Sequence, residues 1–232
     1  MGGGAALWGG FSSFFSIWQV CILQISPFFI AFIVGTYLAT PARETDARIL
    51  RWIVPPCIAF GVGFNLFYSL LIASGLSFSR PLITNLGSLR IVAGTVILLA
   101  SLHIFLVNRS PFLGKMHRPL PLSGLALLLG ISFALIYSPC ITPMLSDIMG
   151  LASQRATAQE GLVLAGFYGI GITLALCLVA VALTLLLGKN ATALRHADAI
   201  KNACGVVLLA LAIMNLTGLM RHYKAFVLGF VL

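Results

Sequence analysis

The chain has 232 residues, of which 60% are hydrophobic and only 8% charged, with a mean hydropathy of +1.07. A soluble domain carries roughly a quarter charged residues, so water is excluded as the solvent for most of this surface and a lipid bilayer takes its place. The formal charge of +9 comes from scattered Lys and Arg, which argues against a nucleic-acid partner and assigns the basic residues to loops that fix membrane topology.

The first ten residues, Met1 to Gly10, contain no Lys or Arg, so the basic opening of a secretory signal is missing. Ala6 stands where an N-myristoylation site needs Ser or Thr. The first hydrophobic stretch is therefore expected to be a retained helix. Six apolar segments follow along the chain, near 12–39, 52–76, 84–107, 120–146, 160–187 and 202–220. Each is long enough to cross about 30 Å of hydrocarbon as a helix. Turn-rich or charged stretches separate them, and the tail from Arg221 to Leu232 is too short for a seventh span.

Nine Lys and Arg residues follow the first, third and fifth segments: Arg43, Arg48, Arg51, Arg109, Lys115, Arg118, Lys189, Arg195 and Lys201. The other side carries Arg80, Arg90, Arg155, Arg221 and Lys224. By the positive-inside rule both termini are expected outside the cytoplasm. The expected location is the cell (cytoplasmic) membrane, crossed several times.

The halves resemble each other. Phe60-Gly61-Val62-Gly63-Phe64-Asn65 in the second segment is echoed by Tyr168-Gly169-Ile170-Gly171-Ile172-Thr173 in the fifth. Arg90 and Gly94 in the third are echoed by Lys201 and Gly205 in the sixth, at nearly the same offset. An odd number of helices per repeat makes the second copy enter from the opposite side. The expected fold is an all-α membrane protein, with six transmembrane helices as two inverted three-helix repeats. It forms a single transmembrane domain over 1–232, with repeat one about 12–107 and repeat two about 120–220.

Cys21, Cys57, Cys140, Cys177 and Cys204 all fall within apolar stretches, with no CxxC or Cys/His metal spacing. Under the repeat, Cys21 in the first segment matches Cys140 in the fourth. Cys140 lies in Tyr137-Ser138-Pro139-Cys140-Ile141-Thr142-Pro143. Prolines on both sides should kink or break a helix there and free backbone carbonyls, which a membrane tolerates only beside protein or a water-lined cavity. The first segment has a weaker version, with Gln24 and then Pro27 following Cys21. Two cysteines on such helices are suited to forming and breaking a disulfide, since a polar kink lets a thiol ionise. Cys57, Cys177 and Cys204 read as small packing residues.

Ser138 to Pro143, followed by Met144-Leu145-Ser146-Asp147-Ile148-Met149-Gly150-Leu151-Ala152-Ser153, closely resembles the second cysteine motif of the CcdA family. These are six-helix thiol-disulfide electron transporters of cytochrome c biogenesis, related to the transmembrane domain of DsbD. Phe14 to Gly35, with Cys21 and Pro27, resembles the first motif, except that Val20 and Gln24 replace its usual prolines. The resemblance implies a thiol-disulfide oxidoreductase acting as an electron relay. Cytoplasmic thioredoxin would reduce a Cys21–Cys140 disulfide, and the dithiol would reduce an extracytoplasmic thioredoxin-like protein. Exchange of this kind needs no cofactor and no metal. Pro27, Pro139 and Pro143 would be the helix-breaking support.

Gly63 and Gly171 read as close-packing positions or hinges, and Asn65 and Thr173 as cavity-lining partners. Asp147, two turns beyond Cys140, could tune its protonation or mark a helix end. His103 is an intramembrane ionisable group, and Arg90 and Lys201 are expected to snorkel to opposite interfaces. The alternative function is a small-solute or metal-ion transporter on the same scaffold, which would keep its activity without Cys21.

Overall fold

In the computed structural model, the described residues are 2–15, 26–39, 46–74, 81, 84–106, 119–136, 143–154, 156–190 and 194–231, and among them the regular structure is entirely helical. The helices are α1 (Gly3–Phe15), α2 (Ser26–Ala39), α3 (Asp46–Ile72), α4 (Leu86–Leu106) and α5 (Pro119–Ile136). They continue with α6 (Pro143–Ser153), α7 (Ala158–Lys189), α8 (Ala197–Leu216) and α9 (Met220–Val231).

Four of the six predicted spans are single helices long and apolar enough to cross a membrane: Trp52–Ile72, Gly87–Leu106, Ala158–Lys189 and Ala197–Leu216. Less than half of each is buried within the protein. The remainder presents Ile58, Val62, Leu66, Leu99, Leu174 and Leu178 outward, which suits contact with lipid tails. The chain is an all-α, multi-pass membrane protein. The other two predicted segments, 12–39 and 120–146, hold the shorter helices α1 with α2 and α5 with α6. Helix α1 begins at Gly3, earlier than the apolar run suggests, because the small residues ahead of it pack against α7.

Lipid tails are as apolar as leucine, so helices in a bilayer associate through close packing and interhelical hydrogen bonds. The packing here repeats itself. A methyl group on Gly63 of α3 would collide with the Leu127 carbonyl and the Ile131 amide nitrogen of α5. On Gly171 of α7 it would collide with the Leu7 carbonyl and the Phe11 nitrogen of α1. The opposing glycines complete each contact: Gly130 lies against the Phe60 carbonyl, and Gly10 against that of Tyr168. Each member of the α3–α5 set thus has a counterpart in the α7–α1 set; the sequence repeat equates the α3 and α7 members, and the pairing of Gly10 with Gly130 emerges from the contacts.

A second repetition joins α4 to α8. Gly94 meets the side chain of Leu216, and its counterpart Gly205 meets the ring of Phe105, which is itself the counterpart of Leu216. Polar bonds reinforce this seam. Ser101 donates to the Gly205 carbonyl at 2.9 Å, and the Asn215 amide donates to the Arg90 carbonyl at 2.7 Å. Between these seams, α2 packs on α7 and α8. Phe29, Phe60, Phe64, Phe133 and Tyr68 form a connected aromatic column through α2, α3 and α5.

Candidate functional site

The predicted redox pair lies outside the described residues, as do Pro139 and the segments 16–25 and 137–142 that hold Cys21 and Cys140. The helices on either side are described. Pro27 is exposed at the second residue of α2, and Pro143 opens α6. Gly63 and Gly171 are both buried where two backbones meet, on the helices that follow in each half.

Those glycines share their helices with the polar centre of the molecule. The Asn65 amide nitrogen donates to Thr173 Oγ1 across the α3–α7 interface at 3.0 Å, and also to the Gly61 carbonyl at 2.8 Å. Thr173 in turn donates to the Gly169 carbonyl at 3.0 Å. Gly61 faces the Thr173 hydroxyl and Gly169 faces the Asn65 side chain, so the two halves of this contact again mirror each other. The two polar residues predicted to line a cavity therefore touch each other. They lie in a groove of about 690 Å³ between α3 and α7. Its walls are chiefly aliphatic: Val54, Ile58, Val62, Leu174, Leu178 and Val181.

The same groove brings together two of the cysteines expected to serve as packing residues. Cys57 of α3 and Cys177 of α7 both line it. Cys177 Sγ donates to the Cys57 carbonyl oxygen at 3.6 Å. Pro55 and Pro56 immediately precede Cys57 inside α3, so two intrahelical donors are missing within a turn of the thiol. The Pro-Pro-Cys run was a legible signal of local opening. The approach of Cys177 to it was not.

The other ionisable candidates are dispersed. Asp147 is exposed on α6. His103 is buried in α4. Arg90 is exposed and its Nε donates to the Leu135 carbonyl at 3.4 Å, whereas Lys201 is buried and paired with Asp198 of its own helix at 3.4 Å. Among the described residues no group of three or more His, Cys, Asp or Glu side chains could hold a metal ion.

The chain is similar in sequence to proteins named for cytochrome c-type biogenesis. The chain is 25% identical over 219 residues to the cytochrome c-type biogenesis protein CcdA of Halalkalibacterium halodurans, covering 92% of this chain and 90% of that protein. The resemblance is to CcdA. A match of that extent takes in both halves of the chain and most of every helix from α2 to α8. A Haemophilus influenzae protein with a provisional cytochrome c-type biogenesis name is also 25% identical, over 134 residues, or 55% of this chain and 63% of that protein. No protein-family model matches the chain, and no solved structure matches it. The CcdA likeness therefore rests on sequence along nearly the whole chain.

Proposed function

We propose that the chain is a transmembrane electron carrier of cytochrome c biogenesis, passing reducing equivalents between thiol-disulfide proteins on the two sides of the membrane. The observation that carries this reading is the match to CcdA over 92% of the chain, in a sequence whose Cys140 is flanked by Pro139 and Pro143. In the first step a thiolate of cytoplasmic thioredoxin attacks the Cys21–Cys140 disulfide, giving a mixed disulfide and one free cysteine thiolate. The second thioredoxin thiol displaces the other, leaving oxidised thioredoxin and a Cys21/Cys140 dithiol. That dithiol repeats the exchange on an extracytoplasmic thioredoxin-like disulfide, so two electrons cross and two protons follow the thiols. No bound cofactor is needed.

The same reading makes the halves inverted repeats, about 12–107 and 120–220. Its support is the repeated contact geometry: Gly63 with Gly130 and Gly171 with Gly10, Gly94 with Leu216 and Gly205 with Phe105. Asn65 bonds directly to its counterpart Thr173, as residues beside a two-fold axis in the membrane plane would. Gly63 and Gly171 sit where the halves would have to slide for the cysteines to be exposed to each side in turn.

Thiol trapping in membranes tests the relay. With reduced thioredoxin, Cys21 and Cys140 should pass together from disulfide to alkylatable thiols. Identical labelling of Cys140 in wild type and Cys21→Ala, under reducing and oxidising conditions alike, would sink it.

A further inference from the structure

Cys57 and Cys177 do not belong to the relay, yet the fold brings them together from opposite halves of the chain. They share a wall of the α3–α7 groove with Asn65, Thr173 and Ser69. The Cys177 thiol reaches the backbone of Cys57, with Sγ 3.6 Å from its carbonyl oxygen. Their surroundings differ: the Cys57 side chain is only 3% exposed, whereas Cys177 is half-buried at the groove. A packing role explains a small side chain at each position but does not require two thiols to meet. Pro55 and Pro56 also leave helix α3 short of donors beside Cys57.

We propose that Cys57 and Cys177 form a second redox-active dithiol, oxidised by a small apolar disulfide that enters the α3–α7 groove from the bilayer. The aliphatic walls of the groove select an uncharged reagent, and the exposure difference sets the order of attack. Cys177, the accessible partner, attacks one sulfur of the reagent as a thiolate and expels the other half as a thiol. Cys57 then attacks the Cys177 sulfur of this mixed disulfide and expels the second half. The cysteines lose two electrons and two protons, the reagent becomes two thiols, and a Cys57–Cys177 bond joins α3 to α7. Neither Cys21 nor Cys140 takes part, so the proposal stands apart from the relay.

The test uses the full chain in lipid vesicles with 4,4′-dithiodipyridine as the probe. In a Cys21→Ala/Cys140→Ala/Cys204→Ala background, the pair should release two thiopyridones per chain and yield a linked Cys57–Cys177 peptide in mass spectrometry. Cys57→Ser should release one and retain a stable mixed disulfide on Cys177. Cys177→Ser should leave Cys57 largely unreacted. Mapping the linked peptide in the wild-type chain provides a readout that needs no substitution. Two thiopyridones retained as unresolved mixed disulfides, or a wild-type chain with no Cys57–Cys177 peptide after oxidation, would overturn the proposal.

Discussion

At the scale of single residues, the decisive contacts are made by atoms that glycine leaves uncovered. Gly63 and Gly171 each face backbone of a neighbouring helix, which has no side chain to swing aside. Gly166, on the same helix as Gly171, has open space where a Cβ would go. Alanine is the better helix former, so a propensity argument favours alanine at all three positions and packing opposes it at two. Overpacking of this kind costs about 1–3 kcal/mol, which exceeds the propensity gain of about 1 kcal/mol at its upper end. Gly63→Ala and Gly171→Ala are expected to lower the thermal midpoint of the purified protein in detergent, while Gly166→Ala leaves it equal or higher. A destabilised Gly166→Ala beside an unaffected Gly171→Ala would contradict the packing described. The Asn65–Thr173 bond is a smaller effect. Cross-helix bonds in membranes couple by about 0.6 kcal/mol on average, so a double-mutant cycle of Asn65→Ala and Thr173→Val should return a coupling of that order. A coupling indistinguishable from zero would mean the two side chains do not meet.

Among the elements, α7 was the most legible and the helices around the cysteines the least. The expected 160–187 segment became Ala158–Lys189, whose most apolar 18-residue stretch has a mean hydropathy of 2.8, because Leu, Val and Ala fill it and Glu160 and Lys189 mark its ends. Prolines make 12–39 and 120–146 harder to read, since proline can interrupt one helix or open the next. The glycine pairs were visible as a motif recurring in each half, but their contact partners were not. Leu7 and Leu127 contribute carbonyl oxygens, and any residue type supplies one. The approach of Cys177 to Cys57 is illegible for a related reason: which side chains on different helices meet depends on helix rotation, which spacing within one helix does not encode. At about 1.5 Å per residue, the 32 residues of α7 extend to about 48 Å, well beyond a hydrocarbon core of about 30 Å. Both ends should therefore reach water. In a cysteine-free background, Gln159→Cys and Lys189→Cys should react with an impermeant maleimide and Leu174→Cys should not. With the orientation expected from the basic loops, residue 159 labels from outside intact cells and residue 189 only after permeabilisation. Reversed sidedness would overturn that orientation while leaving the helix itself intact.

On the scale of the whole molecule, the two halves are interleaved and do not sit side by side as separate units. Helix α1 makes its main packing surface with α7, and α5 makes its own with α3. A helix from the start of the chain is thus held by α7 in its second half, and α5 in the second half by α3 in the first. The α4–α8 and α3–α7 seams also cross between halves. An isolated half would leave Gly10 without the Tyr168 carbonyl, or Gly130 without that of Phe60, and lipid would fill a surface shaped for another helix. Association in a bilayer depends on such close fit more than on escape from solvent, so each half should be a poor membrane protein alone. Fragments 1–112 and 113–232, expressed separately, are expected to be degraded or to aggregate on detergent extraction. Expressed together with a tag on one, they should copurify in equal amounts, and Gly63→Ala with Gly171→Ala should reduce the recovery of the untagged half. Full stability of either fragment by itself would show that each half closes its own core. The exchange of α1 and α5 between halves would then be wrong, whatever the fate of the cysteines.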